Sequence, residues 1–146
     1  MQFEGTLNIN APREKVWDYL TSPDFVSQCA PGLRSVEILI PDQQFKAIAE
    51  VGFGSAKVTF EATIEWLEMH IHRFAKMKAH AKTPGSNVDV ISEMRLTSHE
   101  GSTNLDWKAD VNIVGQLVST AARLMPSVTR NLTAAFFDCV KGKIET

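Results

Sequence analysis

The sequence predicts an α+β fold in which a curved, antiparallel, seven-stranded sheet wraps around one long C-terminal helix. Three observations predict it. Five segments alternate apolar and polar residues with period two, the mark of half-buried strands, and two more, Leu33–Ile40 and Phe45–Val51, read as strand-like runs. Two short helical segments fall between the first and second of them. The stretch from Leu117 to Gly142 places Leu117, Ala121, Leu124, Val128, Leu132, Ala135 and Cys139 on one apolar stripe at helical spacing. A sheet with one apolar face needs a single cover, and a one-sided helix about 39 Å long supplies it. The 146 residues read as a single domain, 1–146.

The elements follow in order. Gln2 to Asn10 sets Phe3, Gly5, Leu7 and Ile9 against polar neighbours, giving a strand. Pro12 opens a short helix whose apolar side is Val16, Trp17 and Leu20. Ser22-Pro23-Asp24 starts a second, which Cys29-Ala30-Pro31-Gly32 stops. Six strands are then expected at Leu33–Ile40, Phe45–Val51, Ala56–Trp66, Arg73–Lys82, Val88–Thr97 and Thr103–Ile113. Pro41-Asp42, Thr83-Pro84-Gly85-Ser86 and Glu100-Gly101-Ser102 supply hairpin turns, and Gly52-Phe53-Gly54 a turn or bulge. Pro126 falls on the outer side of the long helix, where it predicts a kink rather than a break because the stripe keeps its phase. This is a helix-grip arrangement.

Composition narrows the function classes. Hydrophobic residues make up 44% of the chain and charged residues 22%, as in ordinary globular proteins. A net charge of −2 gives no electrostatic footprint for nucleic acid. No apolar run approaches the ~20 residues of a membrane span, and the N-terminus lacks a signal-peptide pattern, so a cytoplasmic location is expected. Cys29 and Cys139 are too few and too far apart in sequence to suggest a disulfide framework or a metal site.

The inward face carries the most information. Ala47, Ala49, Ala56, Ala62, Ala75, Ala79, Ala81 and Ala109 all point towards the helix in the expected registers. Alanine is disfavoured in strands and fills little volume. Two readings stand: a pocket between sheet and helix, or a helix drawn close with nothing left over. Chemistry is sparse by comparison. His70-x-His72 lacks the further ligands that zinc needs. Cys29 has no histidine placed beside it, and the carboxylates fall on outward positions. No catalytic residue, metal ligand or cofactor is expected. Phe137 falls near the outer side of the helix and offers a contact for a partner or a second copy, as in a homodimer.

Several segments match a known pattern: Phe3-Glu4-Gly5, Ala11-Pro12 with Val16-Trp17 and Leu20, Cys29-Ala30-Pro31-Gly32, Val51-Gly52-Phe53-Gly54 with Phe60-Glu61, Val114-Gly115-Gln116-Leu117 and Phe136-Phe137. In these the chain resembles the START-like (SRPBCC) superfamily and, within it, the CoxG family of carbon monoxide dehydrogenase subunits. The resemblance implies a helix-grip fold around a hydrophobic cavity. It also implies an accessory role beside a molybdenum-containing carbon monoxide dehydrogenase or related hydroxylase, in membrane recruitment or in handling a lipophilic acceptor such as a quinone. Some members carry a C-terminal anchor; this sequence ends at Thr146, so peripheral contact at the inner face of the membrane is the most expected here.

The leading expectation is therefore a non-enzymatic protein that holds an apolar, quinone- or lipid-like small molecule. Its expected lining is Phe45, Ala49, Phe53, Phe60, Trp66, Met77, Met94, Trp107, Leu117, Ala121, Leu124, Met125, Val128 and Leu132. Access is expected near Gly52-Phe53-Gly54 and the first half of the long helix, and bulk introduced as Ala121→Trp is expected to block binding in a folded protein. Two alternatives remain at this level: a cyclase- or hydrolase-like enzyme of the same superfamily, and a protein–protein adaptor with a filled core.

Overall fold

The computed structural model describes residues 1–145. Strand β1 (Gln2–Ile9) is followed by helices α1 (Arg13–Leu20) and α2 (Pro23–Cys29). Then come β2 (Leu33–Ile40), β3 (Gln44–Phe53), β4 (Ala56–His70), β5 (Phe74–Thr83), β6 (Ser86–His99) and β7 (Ser102–Gly115), and finally α3 (Val118–Ile144). The sheet is antiparallel throughout, in the order β1-β7-β6-β5-β4-β3-β2. Strands β4, β6 and β7 outrun the sequence expectation because pairing continues past the last clean alternation. In β4 a register shift between Trp66 and Glu68 absorbs one residue and lets the strand reach His70.

The inward face has the expected registers. One row runs Phe45, Ile64, Ala79, Val90, Val111 across β3 to β7, and its neighbour Ala47, Ala62, Ala81, Val88, Ile113. On the outer face Glu68, Lys76, Glu93, Lys108 and Glu4 stand opposite one another, alternating in sign across five strands. Gly5 serves this packing directly. A Cβ there would lie 2.7 Å from Trp107 Nε1, so the indole lies on the bare backbone of β1.

Helix α3 runs unbroken through Pro126, which is exposed. Its backbone approaches β3 on one side of the bowl and β7 and β1 on the other, with no comparable approach to β4, β5 or β6 among the described residues. Its apolar stripe does not keep one direction. Ala121 and Val128 are buried in the first half, and Val140 and Ile144 in the second. At roughly 100° per residue, the second pair lies about a quarter to nearly half a turn from the first. The second half has turned its buried side towards α1 and α2.

That turn corrects two expectations. Ala135, placed on the stripe by sequence, is exposed. Phe137, placed outside, is half-buried against the core and meets Phe136 edge-on, with ring centroids 5.1 Å apart. A third correction concerns the cysteines. Cys29 and Cys139 form a disulfide with Cα atoms 5.5 Å apart, linking the end of α2 to α3 across 110 residues of sequence. Sequence spacing hides the pair because only the docking of α3 on α2 brings the two together.

Two apolar clusters result. One lies under α1, α2 and the second half of α3, and contains Ile9, Val16, Leu20, Phe25, Leu96, Leu105, Val140 and Ile144. The other lies under the first half of α3, around Phe53, Phe60 and Val128.

Candidate ligand cavity

Between the two clusters the concave face is not packed shut. Ala62, Ile64, Met77, Ala79, Val90, Ser92 and Ala109 all face α3, yet each keeps a partly accessible surface. Side chains of α3 reach the middle strands in both clusters, Val128 with Phe60, Ala81 and Val88, and Val140 and Ile144 with Ala75 and Leu96, and between those clusters the small floor side chains are left partly accessible.

The expected lining residues divide among three places. Phe53, Phe60, Leu117, Leu124, Met125, Val128 and Leu132 gather in the cluster under the first half of α3. Trp66, Met94 and Trp107 pack against the other cluster. Phe45, Ala49 and Met77 lie on the strands between, Phe45 buried and the other two half-buried. Ala121 is 0% exposed. A tryptophan there would overpack the core rather than fill a space, so Ala79 and Ala109 are the better places for added bulk. Val36 and Ile38 are lining residues that the sequence does not single out. They stand opposite Ala47 and Phe45 on the concave face of edge strand β2 and are 38% and 53% exposed. Their alternation is legible in the sequence; their exposure depends on α3 leaving this edge uncovered.

Among the described residues, no concave position on the seven strands holds an ionisable side chain. The inward polar side chains are few. Ser86 Oγ accepts from Leu117 N at 2.9 Å, and Thr103 Oγ1 donates to the Ala11 carbonyl at 2.8 Å. Ser92 sits mid-floor, opposite Met77 and Ala109. Charge is confined to the outside. Glu50 is held below the usual carboxylate range, chiefly by the hydrogen bond from Arg34 Nη2 at 2.5 Å. Glu61 is lowered likewise by Lys46, 3.1 Å away. His70 pairs with Glu68 and His80 with Asp89 on that outer surface. Among the described residues no group of three or more His, Cys, Asp or Glu side chains is placed to hold a metal ion.

Two clefts mark the rim. One of about 330 Å³ lies between α2 and β2, lined by Pro23, Asp24, Ser27, Leu33, Arg34, Ser35, Val36 and Ile38. The other, about 610 Å³, lies where β4 meets the β5–β6 hairpin and includes Phe60 at its base.

The family model for CoxG, of the carbon monoxide dehydrogenase subunits, matches residues 5–145. No curated protein matches the chain. Among solved structures, a conserved protein from Geobacillus kaustophilus has a TM-score of 0.90 at 21% identity, covering 99% of this chain and 95% of its own. The ZhuI aromatase/cyclase from Streptomyces sp. R1128 has a TM-score of 0.76 at 17% identity, covering 99% and 93%. Ara h 8.0201 has a TM-score of 0.71 at 14% identity, covering 99% and 97%. At these identities the likeness is one of fold, the START-like helix grip.

Proposed function

The chain belongs to the CoxG family of carbon monoxide dehydrogenase subunits, and from that premise we propose that it is a non-enzymatic carrier of an uncharged, lipophilic molecule of the quinone or lipid class. The observation that supports this most is the partly accessible floor of alanines and Ser92 beneath a helix whose backbone comes closest to β3, β7 and β1. Burial of a ligand's apolar surface there contributes about 25 cal/mol per Å². A cavity face without ionisable groups favours a neutral guest over a carboxylate, whose desolvation nothing inside would offset. The same absence weighs against a cyclase-like reaction, which needs an acid or base at the substrate.

The partner in this proposal is a carbon monoxide dehydrogenase-type molybdenum enzyme, on the strength of the family's name. Membrane contact is at most peripheral in this reading; among the described residues no helix is long and apolar enough to cross a bilayer. A cytoplasmic site of action is part of the same proposal. It would expose the Cys29–Cys139 bond to a reducing thiol pool, so the redox state of that pair in cells tests the location.

The function itself is tested by native mass spectrometry of the freshly purified protein, with solvent extraction of any adduct. A discrete lipophilic species is expected in the wild type and its loss in Ala79→Trp, with the fold retained. An apo mass and no uptake of added quinone or lipid would instead favour an adaptor with a closed interior.

A further inference from the structure

Strand β2 forms one margin of the sheet and pairs only with β3. The ladder decides which of its peptide groups are free. Trp66 N donates to the Gln43 carbonyl at 3.0 Å, in the register that sets Phe45 opposite Ile64 and Ala47 opposite Ala62. Hydrogen-bonded and non-bonded pairs alternate in an antiparallel ladder, so Phe45 and Ala47 turn their backbone groups to β4 and none to β2. Their partners on β2, Ile38 and Val36, therefore direct N–H and C=O away from β3, over the free edge. Among the described residues no turn, loop or cap hydrogen bond reaches these groups.

Edge strands are usually blunted by lysine, proline or an inward-pointing charge. Between Leu33 and Ile40 there is no lysine or proline, Arg34 is tied back to Glu50, and Glu37 stands opposite Lys46 on the convex face. Val36, Ile38, Leu39 and Ile40 are exposed instead. Register shifts interrupt the strand near both ends and leave Ser35 to Ile38 as a regular open run. Helix α2 stands beside it and walls the cleft of about 330 Å³ over Val36 and Ile38.

This edge fits a copy of itself. When a strand pairs antiparallel with its own copy, side chains facing each other across the two-fold axis share a face, so one residue must sit on the axis opposite itself. Glu37 there would oppose two carboxylates. Ser35 there would set Glu37 against Leu33 of the second copy. Ile38 there would run the ladder into the register shift beyond it. Val36 on the axis avoids all three. It exchanges its two free backbone groups with its own copy, sets Glu37 opposite the Ser35 hydroxyl, and brings Arg34 one residue further along.

We propose that β2 pairs with β2 of a second copy, antiparallel and centred on Val36, joining two sheets edge to edge beside the two α2 helices. This surface is not the Phe137 face that the sequence suggests, and the proposal does not depend on the carrier reading.

The test is sedimentation velocity of the intact, disulfide-bonded protein from about 1 to about 100 μM. A monomer–dimer equilibrium is expected, with micromolar dissociation because the contact is short. Val36→Lys sets two ammonium groups at the axis and is expected to weaken the dimer at least about a hundredfold. Val114→Lys, at an exposed position on β7, is expected to leave it unchanged. On mild oxidation Val36→Cys is expected to give a disulfide-linked dimer, since its Cα atoms fall about 5.5 Å apart in a hydrogen-bonded pair; Ile38→Cys, opposite Arg34, is not. A monomer throughout the range overturns the proposal and leaves the edge to a strand of a different protein. A dimer that survives Val36→Lys, or that cross-links through Ile38→Cys and not through Val36→Cys, overturns it as well. Circular dichroism on each variant separates a lost contact from a lost fold.

Discussion

Gly32 is where one residue holds two parts of the molecule in place. Its φ is +74°, and a Cβ would lie 2.0 Å from the Glu50 carbonyl oxygen, while Glu50 N donates to the Gly32 carbonyl at 2.8 Å. The chain leaving α2 is thus fixed against β3 at a point no other residue accommodates. Gly32→Ala is expected to cost about 2–4 kcal/mol, read as a lowered denaturant midpoint; an unchanged midpoint would mean the crossing is not held there. Beside it, Glu50 and Glu61 set a pH dependence. Both carboxyls have depressed folded values, so they stabilise the protein above the ordinary carboxylate range, and that contribution is lost as pH falls through their folded values. Glu61 is exposed and Glu50 half-buried at the surface, so the effect is small. The Tm difference between wild type and the Glu50→Gln, Glu61→Gln double variant is expected to shrink on acidification; a difference constant with pH would assign it to packing. The stop at Pro31-Gly32 is legible in the sequence, but its contact with Glu50 is not, because the two meet only when β3 folds back.

At the scale of elements, the disulfide and the turn in the buried face of α3 describe one arrangement. The second half of α3 is fastened by Val140 and Ile144 in the core, by Cys139 to Cys29, by Lys143 Nζ to Gln28 Oε1 at 3.2 Å, and by the Glu145 carboxylate accepting from Asn10 N at 2.7 Å. The first half rests mainly on apolar contacts. Closing 110 residues in a loop restricts the unfolded chain strongly. The Cys29→Ser, Cys139→Ser pair is therefore expected to lose about 3–5 kcal/mol while keeping its far-ultraviolet spectrum and its ligand uptake, since neither cysteine faces the floor. Loss of uptake without loss of structure would mean that the α2–α3 link shapes the cavity. Period-two alternation locates the strands whose registers keep parity, while the register shifts of β2, between Leu33 and Ser35 and between Ile38 and Ile40, leave that edge strand without a clean alternation. The helix is harder. Its spacing predicts a single stripe from Leu117 to Cys139, and nothing local announces that α1 and α2 will claim a different side after Leu132.

For the molecule as a whole, the decisive relation is between a floor rich in alanine and a helix whose backbone comes closest to the flanking strands. Neither half is sufficient. Alanines alone are equally compatible with a close helix, which is why the sequence leaves a pocket and a packed core side by side. The three-dimensional arrangement adds that the backbone of α3 comes closest to β3, β7 and β1, and that floor residues between the two apolar clusters keep accessible surface. In the carrier proposal the charge pattern selects the guest. Acidic and basic residues alternate on the convex face, while the concave strand positions carry none among the described residues. In the carrier proposal an alkyl benzoquinone enters at no cost in ionisation. A fatty acid of similar length must either leave its carboxylate at the rim or bind a proton first. Tryptophan quenching by a decyl-substituted benzoquinone is expected to give a Kd that stays constant from about pH 6 to about pH 9, because a quinone does not titrate there. Palmitate is expected to compete at least about tenfold more weakly at the upper end of that range. It should gain ground as the pH falls and more of it enters as the neutral acid. Equal, pH-independent affinity for both would place a cation within reach of the floor and overturn the neutral-guest reading.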